Sequence, residues 1–247
     1  MDSSASNNDF VNLFVPCEMD MFNPSIAFSV IHVLEKVGCK VLYFPAQTCC
    51  GRRFYLQGDL ESARELGNKM MKELDANYPI VMPTTACAGY IRNKYPKLFE
   101  NTGVPAEIKQ FTNNIFELCH FLISVKGITT LNNSYNQRVF YFKSCSARNI
   151  YRLGNEPEIL LRNTQGLDLL TDPTLDICCS ANGQFSVENP EASDAMLQQI
   201  VDKIYSMGAQ SVTSTDIHCL QHIDAYIQAH NVGLEVIHIA DILNASE

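Results

Sequence analysis

Eight of the ten cysteines in this 247-residue chain repeat one pattern. Cys17 is followed by 31 residues, the adjacent pair Cys49 and Cys50, 36 residues and Cys87; later come Cys145, 32 residues, the pair Cys178 and Cys179, 39 residues and Cys219. A thiolate is a soft metal ligand and a nucleophile, so the chemistry on offer is metal binding or thiol redox work. A structural zinc site would show a short C-x2-C or C-x4-C knuckle, and the cysteines contain none. Adjacent thiolates diverge, which suits a cluster of several irons better than one tetrahedral ion. Arg52, Arg53, Lys143 and Arg148 lie close by in sequence and, with helix N-termini, would favour the deprotonated thiols.

Taken singly, a cysteine is more often a small buried apolar residue than a ligand. Cys39 and Cys119 stand outside the pattern in apolar segments and are read as core, as are Met70, Met71 and Met196 on helical stripes. His32, His120, His230 and His238 are read as structural, and His218 fits either role. His222, three residues after Cys219, could complete a mixed Cys/His site or simply be a helix histidine.

The elements that must position these residues form two similar halves. Strands are expected at Val11–Pro16, Lys40–Pro45 and Pro79–Cys87. Between them lie a helix from Pro24 closed by Gly38 and an amphipathic helix over Leu60–Leu74. A longer polar region leads to an apolar helix near Ile115–Val125. From residue 138 the order returns: a strand ending at Cys145, a helix near Ile150–Leu161, a strand at Leu167–Thr171, and a helix opened by Asn189-Pro190. That helix should bury Ala192, Ala195, Met196, Ile200 and Ile204 and stop at Gly208. A strand at Ser211–Cys219, then a fourth strand and a last helix in EVIHIADIL, complete the half. Strand–helix alternation of this kind makes parallel βαβ units. The fold class is therefore α/β: two Rossmann-like halves related by internal duplication, divided as residues 1–128 and 129–247 across an Asn-rich connector. In such sheets ligands sit beyond the carboxyl ends of the strands, where all eight patterned cysteines fall.

Composition narrows the function. The net charge is -9, which argues against a nucleic-acid partner, and no apolar run approaches the length of a membrane span. The first residues lack the basic start and apolar core of a signal peptide, so the expected location is the cytoplasm, where cysteines stay reduced. No Ser-His-Asp elbow, phosphate-cradling G-x4-G-K-[ST] or G-x-G-x2-G signature occurs. A chain that binds neither nucleotide nor flavin must borrow a hydride or carbanion acceptor from elsewhere.

The stretches VGCKVLYFPAQTCCG, DICCSANGQFSVENPEASDAML and VIHIADIL resemble the cysteine-rich CCG-domain proteins, and most closely the small iron-sulfur subunit of lactate-utilisation complexes. Related domains occur in glycolate oxidase iron-sulfur subunits and in the B subunit of heterodisulfide reductase, where such motifs hold non-cubane four-iron clusters. The resemblance covers nearly the whole chain. It implies that Cys17, Cys49, Cys50 and Cys87 hold one iron-sulfur cluster and Cys145, Cys178, Cys179 and Cys219 another, each a four-iron group, cubane or non-cubane. His222 would be an added metal ligand. It further implies electron transfer within a complex that oxidises lactate or another 2-hydroxy acid, with the other subunits as partners. The sequence departs from the family pattern where Tyr90 and His222 replace the last cysteine of each closing C-x2-C, where Ser180 makes the second pair CCS, and where Ser146 replaces the usual His. Two other classes stay open: a cluster-free thiol/disulfide or zinc-binding protein, and a scaffold that has lost its cluster.

Overall fold

The computed structural model describes residues 10–100, 103, 105–181 and 185–246. The first nine residues, on which much of the signal-peptide reading rests, and residues 182–184 of the DICCSANG segment lie outside the described residues. The first half runs β1 (Phe10–Leu13), α1 (Cys17–Phe22), α2 (Pro24–Lys36), β2 (Lys40–Tyr43), α3 (Arg52–Leu56), α4 (Leu60–Glu73), β3 (Ile80–Met82), α5 (Thr85–Leu98), α6 (Pro105–Asn113) and β4 (Ile115–Glu117). A single turn, α7 (Leu118–His120), leads into a π-helical segment at Phe121–Val125. The second half runs β5 (Arg138–Tyr141), a π-helical segment at Ser146–Tyr151, α8 (Glu156–Arg162), β6 (Asp168–Leu170), α9 (Phe185–Glu188), α10 (Pro190–Ser206), β7 (Ser211–Ser214), α11 (Ile217–His230), β8 (Glu235–His238) and α12 (Ile239–Asn244).

Each half carries a four-stranded parallel sheet, in the order β2-β1-β3-β4 and β6-β5-β7-β8. Strand order reverses between β1 and β3 and again between β5 and β7, so each sheet has its crevice where α/β folds bind ligands. The expected duplicated Rossmann-like architecture is the one observed.

Several elements differ from the sequence reading. The strand expected over Pro79–Cys87 stops at Met82 because Pro83 offers no amide to the ladder, and Cys87 becomes the third residue of α5. Cys219 likewise falls in α11, since β7 ends at Ser214 and Asp216 caps the helix with a bond from the His218 amide. The polar region after Cys87 is two helices, α5 and α6, with Tyr95, Leu98, Ile108 and Phe111 buried. The apolar run from Ile115 opens as β4, because the free edge of β3 needs a ladder partner, and turns helical only at Leu118. The helix expected near Ile150–Leu161 divides into the π-helical segment and α8, with Arg152 in the left-handed region between them. In α10 the buried stripe is Ser193, Leu197, Ile200, Val201 and Ile204; Ala192 and Ala195 face solvent and Met196 is half-buried. Cys39 and Cys119 are core, as expected.

The largest apolar cluster is shared by both halves, joining Val11, Val30, Val33 and Leu34 to Val139, Leu160, Ile239 and Leu243. The C-terminal α12 packs on α2 of the first half. Gly89 of α5 lies against the Ser146–Tyr151 segment, where a Cβ would stand 2.9 Å from Ile150 and 3.0 Å from the Tyr151 amide. The two strand bundles therefore meet with their crevices side by side.

Candidate metal centre

Every patterned cysteine follows a strand. Cys17 opens α1 after β1, Cys49 and Cys50 precede α3 after β2, and Cys87 lies in the first turn of α5 after β3. Cys145 caps the π-helical segment after β5, Cys178 and Cys179 follow β6, and Cys219 lies in the first turn of α11 after β7. The connections after β1, β2 and β3 thus deliver four sulfurs to one crevice in the first half, and those after β5, β6 and β7 do the same in the second. Cys17, Cys49, Cys50 and Cys87 line a single cavity of about 330 Å3, together with Glu18, Arg53 and His218. Cys145, Cys178, Cys179 and Cys219 line another of only about 10 Å3. Ala181 and His218 line both.

Two pairings recur between the sets, Cys17 with Cys49 as Cys145 with Cys178, and Cys50 with Cys87 as Cys179 with Cys219. Cys17 is hydrogen-bonded to Cys49 and Cys49 to Cys50, while the Cys50 thiol donates to Cys87 at 3.3 Å. Cys145 lies 3.5 Å from Cys178, and Cys179 is joined to Cys219 as a disulfide with Cα atoms 5.7 Å apart. That pairing crosses the crevice, and it differs from the bond between adjacent cysteines that a vicinal thiol site would use. The amides of Gly51 and Ser180 each donate to the first sulfur of the preceding pair, at 3.4 Å in both halves. Donor and acceptor sulfurs alternate. Hydrogen bonding to a neighbour raises the pKa of Cys17, Cys50 and Cys145, and the same bonds lower Cys49 and Cys87 and bring Cys178 to about 6.

The surrounding cations act in different ways. Arg148 donates to the carbonyls of Lys143 and Leu175 and pairs with Asp176 at 2.6 Å, tying two of the three cysteine-bearing connections of the second half together. Lys143 turns away to the Gly154 carbonyl. Arg52 is buried and its charge lowers Cys87, while Arg53 lines the larger cavity. His218, undecided from sequence, stands between the sets. Its Nδ1 is 3.0 Å from Asp216 and its Nε2 3.4 Å from Glu18. Burial opposes its charge, but the hydrogen bond and charge of Asp216 carry its pKa up to about 9. Burial raises the pKa of Asp216, and the hydrogen bond and charge of His218, the charge of Arg52 and a bond from Ser146 together outweigh it, so the net shift is downward. His222 places Nδ1 on the Cys179 carbonyl at 2.8 Å, which requires the proton on Nδ1. Its ring borders a neighbouring cleft with Gln221 and Ala225 and is absent from the lining of the smaller sulfur cavity.

Sequence reasoning overlooked Asp216. The available signal was its place three residues before Cys219, where the first half has Thr84 before Cys87. Among the described residues, no three His, Cys, Asp or Glu side chains surround a point as ligands of one metal ion would. In the first half four free cysteine sulfurs, a soft donor set, enclose room for several atoms, whereas in the second half two of the four sulfurs are tied in the Cys179–Cys219 disulfide.

The family model of the cysteine-rich CCG domain matches residues 11–92 and 139–224, one copy in each half. Lactate utilization protein A of Geobacillus kaustophilus is 33% identical over 239 residues, covering 95% of this chain and 98% of that protein. The chain belongs to this cysteine-rich family. The proteins of the same name from Bacillus cytotoxicus and Oceanobacillus iheyensis are 32% and 30% identical over 237 residues, covering 95% of this chain and 98% and 96% of theirs. Among solved structures, glutamate racemase from Francisella tularensis aligns with 97% of this chain and 79% of its own at 11% identity, with a TM-score of 0.34 that supports no argument. Among the described residues no helix is long and apolar enough to cross a membrane.

Proposed function

We propose that this protein is an iron-sulfur electron-transfer subunit of a cytoplasmic lactate-oxidising system, with each cysteine set holding one cluster and with other subunits supplying the substrate chemistry. The reading is carried by one observation: the four cysteines of each repeat, gathered from three separate connections, line one cavity at the carboxyl end of their own sheet. Lactate comes from the relatives' name. A bound cluster would supply one-electron chemistry; the chain supplies ligands, charge and exclusion of water. The Gly51 and Ser180 amides direct hydrogen bonds at Cys49 and Cys178, which would stabilise electron-rich sulfur and raise the reduction potential of a cluster held there. His218 places positive charge beside both sets, offset by Asp216 and Glu18.

Anaerobic purification followed by iron and acid-labile sulfide assays tests this. The protein should be brown, and Cys49→Ser and Cys178→Ser should each remove the iron of their own half while leaving the fold intact. Iron retained in both variants, or zinc as the only metal, overturns the reading. A second reading has one specific support, the Cys179–Cys219 disulfide beside a cavity of about 10 Å3. In that case the second half works as a dithiol/disulfide couple and Cys178→Ser leaves the iron content unchanged.

A further inference from the structure

We infer that Asp216 is a positioning residue that couples the two sulfur sets, so that the geometry of both depends on one buried carboxylate. The inference rests on the cluster reading for its spectroscopic consequences and on the protein alone for its geometry. Asp216 is 1% exposed and lies on the seam between the halves. Its Oδ1 accepts from the His218 amide at 3.3 Å, from His218 Nδ1 at 3.0 Å and from Thr84 at 3.4 Å. Its Oδ2 accepts from Thr85 and from Ser144, each at 3.3 Å. Ser146 adds a further bond.

These partners come from both repeats, and each stands within three residues of a patterned cysteine. Thr84 and Thr85 begin the turn that carries Cys87, and Ser144 precedes Cys145. Asp216 itself caps the helix that carries Cys219. The Thr85 amide also donates to the Thr215 carbonyl at 3.0 Å, which fixes the ends of β3 and β7 against each other.

The internal repeat shows that a helix can start at this position without a side-chain cap. Thr84 occupies the equivalent position in the first half, and its side chain makes no capping bond to α5. A fully buried carboxylate is costly unless several donors hold it. Asp216 has donors from both halves because it reaches across the seam, which an ordinary cap would not do.

Asp216→Asn keeps the shape and removes both the charge and part of the acceptor capacity. In the reduced, metal-free protein, thiol labelling followed by mass spectrometry should show Cys87 and Cys145 both reacting roughly tenfold faster or more, since lost charged hydrogen bonds ease local opening by about that factor. In the loaded protein, the same change placed on Cys49→Ser and on Cys178→Ser should alter the paramagnetic spectrum of the remaining cluster in both. Asn133→Ala removes a buried hydrogen bond to the Ile242 carbonyl within the second half, away from either cavity, and should lower Tm without changing labelling or spectra. If Asp216→Asn fails to fold, Thr85→Val leaves the carboxylate in place and should still speed labelling of Cys145 in the opposite half. Labelling that changes only at Cys145 and Cys219 would reduce Asp216 to a local cap and overturn the inference. Absence of iron in the parent, with labelling changed in both halves, would overturn the cluster reading and leave this one standing.

Discussion

Gly51 and Ser180 occupy equivalent positions after the two cysteine pairs, and both lie in the left-handed region, at φ 85° and 59°. The turn aims each amide at a sulfur, so the conformation is required and the residue type must accommodate it. At Gly51 a Cβ would meet the Ala63 carbonyl at 3.0 Å. At Ser180 the matching helix residue is Ser193, and the two hydroxyls bond at 2.6 Å, which holds a side chain where the first half tolerates none. The CCG-to-CCS change is therefore a compensated pair. Gly51→Ala should cost about 2 kcal/mol or more in urea unfolding of the metal-free protein, from the left-handed strain plus the contact. Ser180→Gly should stay within about 1 kcal/mol of the parent, because lost strain offsets the lost hydrogen bond. Equal effects at the two sites would contradict this account.

At the scale of elements, each cysteine-bearing turn is fixed by a neighbouring helix. The Tyr95 hydroxyl in α5 donates to the Cys50 carbonyl at 2.8 Å, and His222 in α11 does the same for Cys179. The short α7 depends on Glu117, fully buried, which caps it by accepting from the His120 amide at 3.1 Å. Burial raises the Glu117 pKa from 4.5 to about 7 against the lowering effect of the His120 and Cys119 amides. The folded protein therefore holds a proton that the unfolded chain releases, and stability from this group is full below about pH 4.5 and lost as pH rises through 7. The penalty above pH 7 is about 3 kcal/mol. Glu117→Gln should be more stable than the parent by up to that amount at pH 8, with the gap nearly closed at pH 5; a gap independent of pH would refute the assignment.

For the whole molecule, the shared core makes the two repeats one cooperative unit. Leu243, at the end of the chain, is fully buried in the same cluster as Val30 and Val33. Leu243→Ala should cost about 2–5 kcal/mol and lower a single calorimetric transition that includes the first half. Two separable transitions would show the halves to be independent. His238 reinforces the junction, with Nε2 on the Pro83 carbonyl at 3.1 Å and Nδ1 accepting the Ala240 amide at 3.2 Å.

The sequence by itself determined the duplication, the α/β class and the two groups of four cysteines. Strand and helix periods and residue spacing are local properties, and a repeat doubles their signal. It misplaced Cys87 and Cys219 onto strands, because the stop at Pro83 and the cap at Asp216 act within a few residues of an otherwise apolar run. It also left His218 undecided and passed over Asp216 and Glu117. Those roles depend on which distant donors surround a buried polar group, and only the packing of one half against the other brings Thr84 and Thr85 to Asp216. The tertiary structure likewise decided that the two cavities differ in size and share His218, because the space between side chains is set by the seam and no residue pattern encodes it.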